Sequence, residues 1–131
     1  MVIKGITFGA FDLCHPGHLL LFQEAKENCD YLIVGLHIRP NEERETKNKP
    51  IETEYERWLR LKSCKYVDEI VPYNSEEELK HIIRQYKPDV RFLGEEYRGK
   101  DFSGQELCVN FFCSRNHKYS STSLRKRINE K

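Results

Sequence analysis

No stretch of this 131-residue chain approaches the roughly 18 consecutive apolar residues that a membrane-spanning helix requires. Neither sign of charge dominates. Lys and Arg number 22 and Asp and Glu 21, for a net charge of +1, so there is no global basic field of the kind that holds nucleic acid. The five cysteines, at positions 14, 29, 64, 108 and 113, are odd in number and lack Cys-x-x-Cys spacing. That argues against a disulfide framework and a structural zinc site. Internal repeats and low-complexity tracts are also missing, and the Met1–Gly5 start has no signal-peptide anatomy. These absences predict a cytoplasmic protein with one core over residues 1–131, without a membrane span and without a nucleic-acid partner.

What is present alternates. Val2–Phe8 reads as a buried strand and Gly17–Asn28 as a helix. Asp30–His37 is a second strand, rich in Leu, Ile and Val, and Ile38–Pro50 a polar, mobile loop with two prolines. A helix over Glu52–Lys65, a short strand over Glu69–Pro72 and a helix over Glu76–Tyr86 follow. Then come strands over Val90–Leu93 and Leu107–Cys113 and a last helix over Ser121–Asn129. Near-continuous apolar strands alternating with helices imply an α/β fold: a Rossmann-like, doubly wound, parallel five-stranded sheet with helices on both faces. Ligands of such sheets bind beyond the carboxyl ends of the strands. The turns after Phe8, His37, Leu93 and Cys113 should therefore meet at one crevice.

The first of these turns carries the most chemistry. Residues 9–18 read Gly-Ala-Phe-Asp-Leu-Cys-His-Pro-Gly-His, at the hand-over from strand to helix. Unpaired N–H groups at a helix start attract anions. His15 and His18, three residues apart, share one side of that helix start, and Gly17 lets a phosphate approach the backbone. A plain capping turn with two ordinary histidines is the alternative reading of the four-residue motif. Cys14, next to the histidines, reads as a small buried apolar residue rather than a reactive thiol.

The segment resembles the nucleotidyltransferases related to glycerol-3-phosphate cytidylyltransferase, whose hallmark is His-x-Gly-His after a Gly-x-Phe-Asp turn. Further stretches resemble that family in order along the chain. Lys65-Tyr66-Val67-Asp68-Glu69 is similar to its Arg-Tyr-Val-Asp-Glu, and Arg57 falls where it keeps a helical arginine. Gly94-Glu95-Glu96-Tyr97 resembles its Gly-Asp-Asp-Trp turn. Ser114-Arg115 with Tyr119-Ser120-Ser121-Thr122 resembles its closing Arg…Ile-Ser-Thr-Thr element.

The resemblance implies transfer of a nucleotidyl group from a nucleoside triphosphate to a phosphorylated acceptor, with release of pyrophosphate. It implies His15, His18, Lys49, Arg57 and Arg115 as the catalytic set, with Arg57 gripping phosphate as a fork. Gly9, Ala10, Phe11, Gly17 and Lys47 would bind nucleotide, with Gly94, Glu95 and Tyr97 at its ribose or base. Ser120, Ser121 and Thr122 would take the β- and γ-phosphates. Asp12, His37, Arg39 and His117 would meet the acceptor. Mg²⁺ would arrive with the nucleotide, without a protein metal cage, and a homodimer would form near Lys65–Glu69.

Three departures bear on the acceptor. Ala10 stands where close relatives carry threonine, Arg39 where they tend to carry an acidic residue, and Asn116-His117-Lys118 is more basic than usual. CTP with a glycerol 3-phosphate-like alcohol is the favoured pair. An adenylyltransferase using ATP with a sugar phosphate or FMN is the alternative, and a catalytically inactive nucleotide-binding module the third reading.

Overall fold

The computed structural model describes residues 1–40, 49–114 and 119–129. The sequence-based expectations for Lys47, Arg115 and His117, and for the side chain of Ser121, lie outside the described residues, as does most of the loop expected over Ile38–Pro50.

Five strands and four helices form among the described residues. They run β1 (Lys4–Gly9), α1 (Pro16–Glu27), β2 (Tyr31–His37), α2 (Glu54–Lys62), β3 (Glu69–Tyr73), α3 (Glu76–Tyr86), β4 (Val90–Gly94), β5 (Asn110–Cys113) and α4 (Ser121–Asn129). The sheet has the order β3-β2-β1-β4-β5, and every pairing is parallel. The chain winds outward from β1 to β3, then crosses back to lay β4 on the other side of β1. The carboxyl ends of β1 and β4 therefore flank the topological switch point, where such sheets open a crevice.

Strand periodicity divides the core. In β2, Leu32, Val34 and Leu36 face α1 and α2, packing with Phe22, Ala25 and Leu61. Ile33, one residue out of phase, joins Ile6 and the α3 residues Leu79, Ile82 and Ile83 on the opposite face. Each such side chain, fully buried, stabilises the fold by about 1.5–3 kcal/mol. Gly35 is set by this packing. A Cβ there would lie 2.3 Å from Phe8 Cδ1, and Phe8 is its register partner on β1.

Three elements differ from the sequence reading by two residues or more at an end. The first strand starts at Lys4 rather than Val2, because Val2 and Ile3 stand exposed at the sheet margin. The second helix spans Glu54–Lys62 rather than Glu52–Lys65, because Thr53 caps it. The Thr53 hydroxyl accepts from the Glu56 N–H at 3.2 Å, and the Glu56 carboxylate accepts from the Thr53 N–H at 2.8 Å. The last strand begins at Asn110 rather than Leu107, because Gln105–Leu107 closes into a 3₁₀ turn.

Candidate active site

The link from β1 to α1 is held in an uncommon backbone conformation. Phe11, Leu13 and Cys14 have φ values of 50°, 63° and 25°. Left-handed, non-glycine backbone of this kind persists only where its surroundings over-determine it. Here they do. Asp12 is buried, and its carboxylate accepts from Ile51 N at 2.8 Å, from Glu52 N at 2.9 Å and from Arg125 Nη2 at 2.7 Å. Leu13 N donates to Glu52 Oε1 at 2.8 Å. Arg57 reaches in from α2, and its Nη1 donates to Ala10 O at 3.2 Å.

Arg57 is 2% exposed, and the same guanidinium donates to His37 O at 2.7 Å and to Ile38 O at 2.5 Å. Burial draws it below its ordinary pKa, against the opposing pull of Asp12, Glu54 and Glu52. The fork expected to grip phosphate is instead closed on three backbone carbonyls. In this structure Arg57 ties the exits of β1 and β2 together. Asp12, expected at the acceptor, is likewise engaged with backbone and Arg125.

The two histidines meet at the start of α1. Their rings stack at 3.9 Å between centroids and 25° between planes. His15 is the N-cap, and its Nδ1 accepts from Gly17 N at 3.0 Å. That bond assigns the neutral ring's proton to Nε2, leaving Nε2 as the donor nitrogen. Gly17 is required there, since a Cβ would come within 2.7 Å of His15 Cε1 and 3.0 Å of Tyr119 O. Phe11 braces His18 from below, edge-on at 5.3 Å, and packs on Phe22 at 5.0 Å.

A cavity of about 250 Å³ opens over this pair, walled by His15, Gly17, His18, Gly94, Ser114 and Ser120. Ser120 also caps α4, its hydroxyl accepting from Ser123 N at 3.0 Å. Ser114 is anchored to α1 through Glu24, with Oγ donating to Glu24 Oε1 at 2.9 Å. The cavity thus joins the start of α1, the end of β4, the end of β5 and the start of α4, as the strand-end argument requires.

His18, Gly94 and Glu96 also border a second chamber of about 450 Å³, which runs over the ends of β1, β2 and β4. Gly9, Ala10, Phe11, Asp12 and Tyr97 contribute to its walls, as does His37, which is buried and stacked on Tyr73 at 4.7 Å. Arg91 and Arg125 supply positive charge to the same chamber.

Other expected residues lie elsewhere. Glu95 is exposed and ion-paired to Arg98 at 2.6 Å, so Glu96 is the acid of that turn bordering both cavities. Arg39 pairs with Glu54 at 3.3 Å and, with the exposed Lys49, borders an adjoining groove. Thr122 is exposed on α4. Among the described residues no group of three or more His, Cys, Asp or Glu could hold a metal ion. Burial pushes the Cys14 thiol up to about 11 and the Cys113 thiol up to about 12, so both are inert at neutral pH.

Sequence reasoning missed Tyr73, Arg91 and Arg125 as site residues. A charge inside the apolar run Val90–Leu93 was a readable signal for Arg91. Tyr73 was hidden one residue past the expected strand end. Arg125 sits in a run of basic residues that offers no cue.

Comparison with known proteins agrees with this geometry. The cytidylyltransferase-like family model matches residues 6–127. Glycerol-3-phosphate cytidylyltransferase of Bacillus subtilis (strain 168) is 35% identical over 126 residues, covering 95% of this chain and 96% of that one. The Staphylococcus aureus (strain NCTC 8325 / PS 47) protein of the same name is 30% identical, covering 94% and 92%. The bifunctional protein HldE of Caulobacter sp. (strain K31) is 35% identical over 108 residues, 82% of this chain but 22% of that one. Among solved structures, a lipopolysaccharide core biosynthesis protein from Thermoplasma volcanium GSS1 shares the fold, with a TM-score of 0.64 and 24% identity. The match covers 99% of this chain and 88% of that one. With a family match across nearly its whole length and the paired histidines at the switch point of its sheet, the chain belongs to the cytidylyltransferase-like family of nucleotidyltransferases.

Proposed function

We propose that the protein transfers CMP from CTP to a small phosphorylated alcohol of the glycerol 3-phosphate kind, releasing pyrophosphate. The observation that carries this reading is the stacked His15–His18 pair at the start of α1, between two cavities that share His18. An acceptor phosphate oxygen attacks the α-phosphorus. A new P–O bond forms, the bridge to the β-phosphorus breaks, and pyrophosphate leaves. No protein nucleophile is needed. The site must align two anions and stabilise charge at phosphorus.

The triphosphate lies against His15, His18 and the first turn of α4, where ring N–H groups and bare backbone N–H groups meet. Arg115, Lys47 and Lys49 add positive charge to the triphosphate, and His117 assists with the acceptor. Magnesium enters as part of the Mg–CTP substrate, held by phosphate oxygens and water. The acceptor occupies the larger chamber beside His37. A homodimer through the Lys65–Glu69 region is supported by an apolar strip there, in which Pro16, Leu19 and Leu20 are exposed beside the half-buried Tyr66.

Pyrophosphate release tests the reading, with CTP and ATP each crossed against glycerol 3-phosphate, phosphocholine, heptose 1-phosphate and FMN. CTP with glycerol 3-phosphate is expected to turn over, and His15→Ala to abolish turnover while leaving the fold intact. Release with ATP alone, or near-wild-type turnover by the variant, would overturn it.

A further inference from the structure

Arg91 brings a buried charge into the larger chamber that the transfer step, as described so far, does not use. It is the second residue of β4, beside Ile6 of β1, on the sheet face that packs α3, and is 6% exposed. Its guanidinium lies between two aromatic faces, 4.9 Å from the Phe8 centroid and 5.1 Å from the Phe102 centroid. Nη1 donates to Ser103 O, and Nε is buried without an acceptor.

That is one hydrogen bond from a group with five N–H donors. The other arginines at the crevice are differently placed. Arg125 pairs with Asp12, Arg39 with Glu54, and Arg57 closes on three carbonyls. No carboxylate among the described residues forms an ion pair with Arg91. Tyr73, Cys108 and Glu76 favour its charge from a distance, while burial opposes it more strongly.

A buried cation without a counter-charge is expensive, and a strand interior facing α3 would accept an apolar residue instead. The aromatic pair fixes the plane of the fork, as a preorganised anion receptor requires. Phe8 is two residues beyond Ile6, the register partner of Arg91, so the side chain climbs toward the crevice mouth. It ends on the wall of the chamber that His18 also borders. A neutral hydroxyl cannot compensate the charge, but an oxyanion can, through two parallel N–H···O bonds.

We propose that Arg91 determines acceptor specificity, its guanidinium receiving an oxyanion of the acceptor in the larger chamber. This rests on the nucleotidyltransferase reading above. The oxyanion is either the acceptor's reacting phosphate or a second anionic group at its far end.

Calorimetric titration of wild type, Arg91→Gln and Arg91→Lys tests this. The probes are glycerol 3-phosphate and 3-phosphoglycerate, added to protein saturated with the unreactive α,β-methylene analogue of Mg–CTP. Mg–CTP itself is titrated separately. Arg91→Gln is expected to weaken acceptor binding tenfold or more while leaving CTP affinity within twofold. A loss for both probes assigns the reacting phosphate. A loss confined to 3-phosphoglycerate assigns a second anionic group.

Arg91→Lys keeps the charge between the rings but lacks the fork, and carries the same comparison if Arg91→Gln does not fold. Acceptor affinity within twofold of wild type in a folded variant overturns the proposal, as does a wild-type protein that binds neither probe more tightly than the variant. Wild-type protein that binds no CTP defeats the nucleotidyltransferase reading instead. Arg91-dependent binding of the probes to unliganded protein is then scored by itself.

Discussion

Replacing Arg57 with methionine keeps an unbranched side chain of similar length and removes every donor. Three carbonyls then lose their partner. His37 O is buried, and stranding a buried acceptor costs about 1–3 kcal/mol. Ala10 O and Ile38 O are partly buried and can turn to water, so each loses only the net worth of its bond, about 0.5–1.5 kcal/mol. Removing a buried guanidinium that has no ion-paired carboxylate returns part of this, since its desolvation penalty goes with it. The balance is a loss of about 2–4 kcal/mol. For a chain of this size that is a fall in melting temperature of about 8–16 °C. Thermal denaturation by circular dichroism reads the fall, and initial rates measured well below the new midpoint read the site. Activity should also drop, because the turn carrying His15 and the exit of β2 lose their common anchor. Arg57→Lys should recover part of the stability through one of the three carbonyls. A methionine variant that melts within 2 °C of wild type yet has lost turnover would refute this reasoning, and would assign Arg57 to the substrate instead of the scaffold.

Gly17→Ala places a methyl against the His15 ring and Tyr119 O, and the ring is the softer neighbour. Pyrophosphate-release kinetics should show kcat reduced at least tenfold with a destabilisation of only about 1–2 kcal/mol; unchanged kcat would mean that the position of His15 does not matter. Cys14 and Cys113 have folded values of about 11 and about 12 against an ordinary 9.0, so the unfolded chain ionises first. The stability they lend is whole below pH 9 and is lost as pH rises through 11 to 12. Melting temperatures between pH 8 and 11 should fall more steeply for wild type than for a Cys14→Ala/Cys113→Ala variant, and parallel curves would refute the effect.

The parallel sheet and its crevice were legible because β2 and β4 are apolar runs whose ends coincide with turn residues. The crevice followed from topology alone, since a parallel sheet must place its β–α turns on one edge. Motif spacing put His15 and His18 together, and a 3.6-residue period brings them within ring-stacking range. The tethers were not legible. Nothing in Arg57, Asp12 or Arg125 as letters says that Arg57 and Asp12 find backbone partners 19 to 47 residues away, or that Asp12 and Arg125 pair across 113 residues. Such bonds depend on how loops are folded back, which neither periodicity nor propensity encodes. The ends of α2 were misjudged for a related reason. Glu52 looks like a helix residue, but its carboxylate is engaged with Leu13 N and Arg60, so Thr53 takes over the cap.

The turn that carries the histidines shows why this scaffold needs those tethers. Phe11, Leu13 and Cys14, left-handed or near-left-handed non-glycine residues within one four-residue stretch, would each cost on the order of 1–3 kcal/mol in isolation. Glycine at Phe11 would relieve its share of that strain, but it would also remove the ring that supports His18 and packs on Phe22. The chain keeps the aromatic and holds the strained backbone with Asp12, Glu52 and Arg57. Those three residues answer to different elements: Glu52 lies in the segment leading to α2, Arg57 lies in α2, and Asp12 reaches Arg125 of α4. The position of His15 and His18 is therefore set jointly by the exit of β2, the start of α2 and the helix α4, whose capping residue Ser120 borders the same cavity. Movement of any one of these on binding substrate would be felt at the histidine pair through bonds of 2.5–3.2 Å, without a change in the sheet.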